Sequence, residues 1–193
     1  MTMGIILAGG YSSRAESNKM VLKYKNIEII KHAINAMQDY CTEVIVVTGH
    51  YHDDTLKVLK DFPKIRVVRN LDYNKGMFSS VKVGVREVDD DFFLTPGDYP
   101  LIMKSTYEKV LNATGLIRVP TFNKCRGHPL FISKELISNL LNESDDSNLK
   151  LFRNKYEITN VETNDEGILK DIDTVNDYLR LKTERKEDWY CED

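Results

Sequence analysis

The 193-residue chain is predicted to fold as an α/β protein around a mostly parallel sheet. Two observations predict this class. Short apolar runs alternate along the chain with segments whose apolar residues recur at helical spacing. Several of these runs are apolar at consecutive positions, as in strands that are buried on both faces. The carboxyl ends of such strands meet at one edge of the sheet, where ligands bind.

Strand-like runs and helical segments alternate through the first two thirds of the chain. Loops rich in Gly, Ser, Asn and Asp follow the first four strands, and we expect these loops to converge. The predicted strands cover residues 5–8, 44–48, 65–69, 92–95 and 116–119. The helical segments between them fall within residues 29–37, 56–60, 78–85 and 107–111.

The last third is less regular, and its helices are predicted from cap residues. Thr174 has the side chain of an N-cap for a helix over 175–181, and Ser147 is predicted to cap a short helix that ends at Phe152. The other elements expected here are a strand within 127–132 that is entered through a tight turn, a helix over 134–141 and a strand over 156–161.

Charge and composition argue against several classes of protein. The net charge is −3 with acidic and basic residues interspersed, so neither nucleic acid nor a membrane surface is an expected partner. No apolar run approaches the roughly 20 residues that span a bilayer, and the start lacks a secretory signal, so we expect a cytoplasmic protein.

Because no Gly-, Ser- or Pro-rich linker interrupts the chain, residues 1–182 are predicted to form one domain, followed by a charged tail over 183–193.

The loop after the first strand has the composition of a phosphate-binding site. Gly9 and Gly10 leave backbone N–H groups open to an anion, and Ser12, Arg14 and Lys19 add a hydroxyl and two cations. The loop matches neither a Walker loop nor a dinucleotide-binding loop. A simple turn with solvated charges beside it is the alternative. The residue types favour a site for a nucleoside triphosphate.

Five segments spread over nearly the whole chain form a wider pattern. They read Leu7-Ala8-Gly9-Gly10-x-Ser12-x-Arg14 with Lys19; Gly76-Met77-Phe78-Ser79-Ser80-Val81 with Gly84; Gly97-Asp98-Tyr99-Pro100-Leu101; Arg126-Gly127-His128-Pro129; and Asp171-Ile172-Asp173-Thr174 with Asp177-Tyr178. In this order they resemble the MobA/MocA-like family of molybdenum cofactor nucleotidyltransferases. The resemblance implies a Rossmann-like three-layer α/β/α fold with a mostly parallel central sheet. It also implies an Mg²⁺-dependent enzyme that joins a nucleotide from a nucleoside triphosphate to the phosphate of a molybdopterin-type cofactor and releases pyrophosphate.

The resemblance assigns a role to each matching residue. Arg14, Lys19 and Asp98 are implied in catalysis, and Asp98 and Asp173 as ligands of Mg²⁺, which prefers one or two protein carboxylates. Asp171 is the alternative to Asp173, and a turn is the alternative role for Asp98. The implied nucleotide-binding residues are Leu7, Ala8, Gly9, Gly10, Ser12, Arg14, Lys19, Gly76, Ser80 and Asp98. The implied acceptor-binding residues are Arg126, Gly127 and His128, with a structural role as the alternative for His128.

The same resemblance bears on the donor and the acceptor. Leu-Ala-Gly-Gly at residues 7–10 is the form that accompanies guanine in the family, whereas residues 76–80 and 127–129 resemble the cytidylyl members, so we expect CTP, with GTP next. Residues 143–148 lack the family's Gly-Asp-x-Gly pattern, and a sugar phosphate or a phospho-alcohol is the alternative acceptor. A non-catalytic protein that binds the cofactor and delivers it is a third hypothesis, and a target molybdoenzyme is a candidate partner.

Overall fold

The computed structural model describes residues 1–10, 18–60 and 62–183. Within these ranges the strands are β1 (Thr2–Ala8), β2 (Lys23–Tyr24), β3 (Ile27–Glu28), β4 (Val44–Thr48), β5 (Ile65–Arg69), β6 (Asp91–Pro96), β7 (Ile117–Phe122), β8 (Cys125–Arg126), β9 (Leu130–Ile132) and β10 (Ile158–Glu162). The α-helices are α1 (Ile29–Met37), α2 (His52–Leu59), α3 (Met77–Val85), α4 (Lys104–Asn112), α5 (Ile137–Leu141), α6 (Leu149–Arg153) and α7 (Val175–Thr183). Short 3₁₀ helices cover Lys19–Val21, Gln38–Tyr40, Tyr73–Lys75, Lys134–Leu136 and Glu166–Leu169.

The central sheet has the strand order β10-β7-β9-β6-β1-β4-β5, and β8 pairs with β7. Strands β6, β1, β4 and β5 run parallel to one another, as do β7 and β10. Strand β9 lies antiparallel between β6 and β7. Strands β2 and β3 form a separate antiparallel pair. The predicted mostly parallel α/β architecture is therefore confirmed.

Helices cover both faces of the sheet, which explains the consecutive apolar residues in its strands. Ile5 and Ile6 are both fully buried, although neighbouring side chains of a strand point to opposite faces. Ile5 packs in a cluster with α3, α5 and α6, and Ile6 packs in a cluster with α1, α2 and α4. The sheet is thus the middle layer of the expected three-layer α/β/α arrangement.

Over residues 127–132, where a strand entered through a tight turn is expected, the strand begins at Leu130. Only Leu130–Ile132 pairs as β9, and the three residues before it connect β8 to β9. A side chain at Gly127 would lie 2.3 Å from the Ile168 carbonyl oxygen, and Pro129 has no N–H to give to a sheet. This segment packs against the 3₁₀ helix Glu166–Leu169 instead of extending the strand.

Of the two predicted caps, one is confirmed and one is wrong. The Thr174 hydroxyl accepts a hydrogen bond from the Asp177 N–H at 3.1 Å and caps α7, as expected. Helix α6 is capped by Asn148, whose side-chain oxygen accepts a backbone N–H of the helix at 2.9 Å. Ser147 instead donates its hydroxyl hydrogen to Glu143 at 3.1 Å. Asparagine and serine are both favoured at N-caps, so their residue types do not decide between neighbouring candidates. The conformation of the preceding loop decides which of the two side chains caps the helix.

No helix in the described part of the chain is long and apolar enough to cross a membrane. The division into a domain over 1–182 and a tail over 183–193 stays a prediction, since residues 184–193 lie outside the described ranges.

Candidate active site

The carboxyl ends of four parallel strands meet at one edge of the sheet. Ala8 at the end of β1 lies beside Thr48 of β4, which in turn lies beside Arg69 of β5. On the other side of β1, Leu7 pairs with Pro96 of β6. Described residues of the loops after β1, β5 and β6 border one cleft of about 590 Å³. The loop after β4 contributes no lining residue but packs against Gly9 through Gly49, so all four strand ends converge as predicted. The described residues that line the cleft are Leu7, Ala8, Gly9, Gly10, Asn18, Lys19, Met20, Tyr73, Asn74, Gly76, Met77, Ser80, Pro96, Asp98 and Asp173.

Close backbone contacts account for the glycines after β1 and β4. A Cβ atom at Gly49 would lie 2.4 Å from the Gly9 carbonyl oxygen and 2.7 Å from Tyr73 Cβ. A Cβ atom at Gly9 would lie 2.7 Å from the Ser80 hydroxyl oxygen. Such distances are below van der Waals contact, so these two loops pack together only because side chains are absent. Gly10 differs, because no described atom lies within 4 Å of the position its Cβ would take.

Asn70 fixes the start of α3 at the edge of the cleft. Its side chain is 1% exposed and donates to Ser79 Oγ at 2.8 Å and to Ser80 Oγ at 2.9 Å. Its side-chain oxygen accepts the Asp72 N–H at 2.9 Å. The amide therefore joins the end of β5 to the amino-terminal turn of α3, where the helix dipole and free N–H groups favour an anion.

Asp98 and Asp173 come together in the cleft from separate elements. The Ile172 N–H donates to the Asp98 carbonyl oxygen at 3.0 Å, which holds the segment before α7 beside the end of β6. Lys19 Nζ lies 2.6 Å from Asp98 Oδ2 and 2.9 Å from Asp173 Oδ1. Asp98 Oδ1 is buried and has no hydrogen-bond partner in the described part of the chain. One cation thus reaches both carboxylates predicted to hold the metal.

Burial and neighbouring charges shift the pKa values of Lys19 and Asp171. Burial lowers the pKa of Lys19, but the charges and hydrogen bonds of Asp98 and Asp173 together outweigh it and leave the pKa above its ordinary value. Burial, with repulsion from the same two aspartates, raises the pKa of Asp171 to about 6. Of the two candidate second ligands, Asp173 lines the cleft and contacts Lys19, whereas Asp171 is absent from the described lining.

The two carboxylates have the chemistry of a site for a hard divalent cation. Such ions take oxygen ligands, and Mg²⁺ commonly uses one or two carboxylates and completes its shell with water and phosphate oxygens. The buried Asp98 Oδ1 is an acceptor without a donor among the described residues, which fits a cation ligand. Within residues 1–10, 18–60 and 62–183, no group of three or more His, Cys, Asp and Glu side chains is placed to hold a metal. The described protein ligands of a metal in this cleft would therefore be Asp98 and Asp173.

The three residues expected to bind the acceptor lie outside the described lining of the cleft. Arg126 is on β8, and its Nε donates to the Asn160 side-chain oxygen at 2.7 Å. Gly127 packs against Ile168, as described above. The His128 ring packs edge-on against Tyr99, with 4.8 Å between the ring centroids. Tyr99 follows Asp98 directly, so the His128 segment is next to the carboxylate end of the cleft.

Comparison with known proteins identifies the family of the chain. The family model for the MobA-like NTP transferase domain matches residues 4–160. The chain belongs to the MobA-like NTP transferase family. It is therefore a nucleotidyltransferase, as the resemblance implied.

Two curated relatives show how far the similarity extends. Over 181 residues the chain is 30% identical to the molybdenum cofactor cytidylyltransferase of Escherichia coli strain K12, and the match covers 92% of this chain and 94% of that protein. Over 156 residues it is 32% identical to a probable molybdenum cofactor guanylyltransferase of Clostridium perfringens, with 69% and 71% covered.

Solved structures share the fold of this MobA-like chain. A nucleotidyl transferase from Methanothermobacter superposes with a TM-score of 0.83 at 23% identity, over 95% of this chain and 97% of that one. A Mycobacterium tuberculosis protein solved as a complex with manganese gives a TM-score of 0.77 at 20% identity, over 94% and 98%.

Most residues that the family pattern singled out in advance lie together in the cleft. Nine of them line it: Leu7, Ala8, Gly9, Gly10, Lys19, Gly76, Ser80, Asp98 and Asp173. Ser12 and Arg14 lie outside the described residues, and their roles stay predictions. Sequence reasoning assigned no role to Asn18, Met20, Tyr73, Asn74, Met77 or Pro96, which also line the cleft. Each of these residues is within two residues of a predicted site residue in the sequence or lies in the Asn-rich loop after β5. That proximity in sequence could have indicated that they line the cleft.

The environment of His128 favours the neutral ring. The residue is half-buried, but its Nδ1 is enclosed and has no hydrogen-bond partner among the described residues. Burial lowers the pKa of His128 to about 4, and the positive charge of Arg153 adds to this, while a hydrogen bond with the Leu94 backbone opposes it. The imidazole is thus uncharged at neutral pH, so it would contact an acceptor as a neutral group.

This environment predicts a pH dependence of stability. Below pH 6.5 the unfolded chain protonates His128, while the folded chain does not until the pH approaches about 4. The free energy of unfolding should therefore fall over this interval, by about 3 kcal/mol from this group. In His128→Gln that part of the fall should vanish. Urea unfolding of both proteins at about pH 7.5 and about pH 4.5 measures the difference, and parallel pH profiles would contradict the enclosed ring.

Proposed function

We propose that this MobA-like nucleotidyltransferase transfers CMP from CTP to the phosphate of a molybdopterin-type cofactor, with Mg²⁺ as its metal and pyrophosphate as the second product. The observation that carries the proposal is the joining of Asp98 and Asp173 by one cation in a cleft that also contains Gly9 and Gly10. Paired carboxylates beside a glycine loop suit a metal-bound triphosphate. The family membership supports the class of reaction.

The triphosphate is proposed to bind along the glycine loop. No described atom lies within 4 Å of the position that a Cβ atom at Gly10 would take, and the first turn of α3 presents its positive end to the cleft beside Ser80. Lys19 supplies an ammonium near the same space. Ser12 and Arg14 would add a hydroxyl and a planar cation that suits phosphate oxygens.

The chemistry needs alignment more than a protein nucleophile. An oxygen of the acceptor phosphate attacks the α-phosphorus, the bond to the bridging oxygen of the β-phosphate breaks, and its electron pair leaves with pyrophosphate. A divalent cation held by Asp98 and Asp173 would neutralise charge on the phosphoryl oxygens. Lys19 and Arg14 would stabilise the leaving pyrophosphate, and the backbone at Gly9, which packs against Gly49, would help to orient the α-phosphorus.

CTP is the proposed donor and GTP the second candidate. The E. coli cytidylyltransferase matches 92% of this chain, which supports CTP. The probable guanylyltransferase of C. perfringens matches 69%. GTP is favoured by one local feature, since the chain has glycine at position 9, in the Leu-Ala-Gly-Gly form. An alanine there would place its Cβ 2.7 Å from Ser80 Oγ, so residues 9 and 80 together shape this wall of the cleft.

The acceptor is proposed to approach from the side of Tyr99 and His128. Arg126, Gly127 and His128 lie on the segment between β7 and β9, and the ring contact of His128 with Tyr99 joins it to the residue after Asp98. The exposed Arg126 is a cation that could meet a second anionic group of the acceptor. A target molybdoenzyme is the proposed recipient of the product, and the cytoplasm, where nucleoside triphosphates are abundant, is the proposed location.

A transfer assay tests the donor, the acceptor and the metal together. CTP, GTP, ATP and UTP, each labelled at the α-phosphate, are incubated with the purified protein and with molybdopterin-type cofactor or a set of sugar phosphates and phospho-alcohols. We expect label to pass from CTP to the cofactor only when Mg²⁺ is present. Transfer from GTP would show that GTP and not CTP is the donor. Transfer to a sugar phosphate would show that the proposed acceptor is wrong. Binding of the cofactor with no transfer from any nucleotide would favour a carrier protein.

A further inference from the structure

Lys19 contacts the carboxylates in this structure. Its side chain is 12% exposed, and its ammonium lies within hydrogen-bond distance of both Asp98 and Asp173. Under the proposed function a divalent cation would need these two carboxylates, and the same ammonium would contact the triphosphate. Since like charges repel strongly at short range, the lysine and the metal would not share the carboxylates.

The local structure allows the ammonium to exchange partners while its backbone stays fixed. Asn18 is buried, and its side-chain oxygen accepts the Met20 N–H at 3.2 Å, which caps the 3₁₀ helix Lys19–Val21. The Lys19 main chain is therefore held by its neighbours. Its four-carbon side chain has several rotatable bonds, so Nζ can move while Cα does not.

We propose that Lys19 is an exchangeable counter-cation, which neutralises Asp98 and Asp173 in the free enzyme and moves to the triphosphate when the metal and the nucleotide enter. This inference rests on the proposed function, which assigns the metal to these carboxylates. Its consequence is that a divalent cation alone binds weakly, because it must displace a bound ammonium. The metal and the triphosphate then favour each other's binding, since the triphosphate gives the displaced lysine a new partner.

The test measures binding of Mn²⁺ without nucleotide. Free Mn²⁺ is counted by electron paramagnetic resonance during titration of the wild-type protein, Lys19→Gln and Lys19→Arg. We expect Lys19→Gln to bind Mn²⁺ at least about tenfold more tightly than wild type, because the competing charge is gone. Lys19→Arg keeps the charge and should stay as weak as wild type.

Lys170→Gln is the matched control. Its side chain is also 12% exposed, and its ammonium pairs with Glu166 at 2.6 Å instead of with the aspartates of the cleft. We expect it to bind Mn²⁺ as wild type does. An equal gain in Lys170→Gln would reduce the effect to a general loss of positive charge and would overturn the proposal.

Thermal unfolding gives a second readout that does not depend on activity. In EDTA, Lys19→Gln should melt below wild type, because two close carboxylates lose their cation, and saturating Mn²⁺ should raise its Tm more than that of wild type. Adding Asp98→Asn to Lys19→Gln should remove the gain in Mn²⁺ affinity. Equal Mn²⁺ affinity of wild type and Lys19→Gln, or no binding by either, would overturn the counter-cation role. Nucleotide transfer plays no part in these measurements, so a failure of the proposed reaction would be seen separately in the transfer assay.

Discussion

Replacing Asp98 with asparagine should lower the rate of nucleotidyl transfer by at least about a thousandfold, equivalent to about 4 kcal/mol of transition-state stabilisation. Asp98 is buried, bonds Lys19 through one oxygen and leaves the other oxygen without a described partner. The amide keeps the size of the side chain but removes the charge that would bind a cation. Release of pyrophosphate at saturating nucleotide measures the loss.

Asp171→Asn is the control for that substitution. Burial and the charges of Asp98 and Asp173 raise the pKa of Asp171, but Asp171 does not belong to the described lining of the cleft. We expect its loss of activity to be less than about tenfold. Circular dichroism of both variants should match wild type. Full activity of a folded Asp98→Asn would remove Asp98 from the reaction, and an equal loss in both variants would leave the second ligand undecided between Asp171 and Asp173.

Replacing Asp165 with alanine should lower the free energy of unfolding by about 3 kcal/mol or more. The Asp165 carboxylate is buried and accepts three hydrogen bonds: from the Met103 N–H at 2.8 Å, the Thr106 hydroxyl at 2.6 Å and the Gly167 N–H at 2.9 Å. Alanine would leave these donors inside the protein with no acceptor. Urea unfolding monitored by circular dichroism gives the difference.

Asp177→Ala provides the comparison for Asp165→Ala. The Asp177 carboxylate also accepts two hydrogen bonds, both from Thr174 at 2.7 Å, but it is half-buried at the start of α7. Water can replace its partners, so a loss of about 1 kcal/mol is expected. Equal losses at the two positions would show that burial of the donors around Asp165 does not govern its contribution.

The sequence predicted the parallel core of the sheet because each strand there carries its own signal. The strands over 44–48 and 65–69 have the predicted bounds, since both are rich in Val and Ile and are closed by turn residues. The residue at which the strand within 127–132 begins was not predicted, because the conformation at Gly127 depends on a contact with Ile168, some 40 residues further along the chain. Asp165 was missed for the same reason, as its partners Met103 and Thr106 are brought to it only by the fold.

The candidate site was predicted to a similar extent. Gly9, Gly10 and Asp98 stand in local motifs at strand ends, where the rule for parallel sheets expects a ligand. The choice of Asp173 over Asp171 followed strand alternation and the family pattern, and the cleft contains Asp173. The contact of Lys19 with both carboxylates was not predictable from the sequence. The family motif indicates which ligand Lys19 binds, but it does not indicate which protein groups Lys19 contacts when that ligand is absent.

The two sides of the cleft should lose different amounts of conformational entropy when a ligand binds. One side is held by the hydrogen bonds of Asn70, and the other contains Lys19 with its two aspartates. On the α3 side, Ser79 and Ser80 are already held by a buried amide, so little freedom remains to be lost there. On the carboxylate side, the proposed entry of a metal would require the ion pairs of Lys19 with Asp98 and Asp173 to break and the lysine side chain to move. Under the proposed function, the reorganisation on substrate binding would therefore be concentrated where the phosphates react, while the α3 side is preorganised.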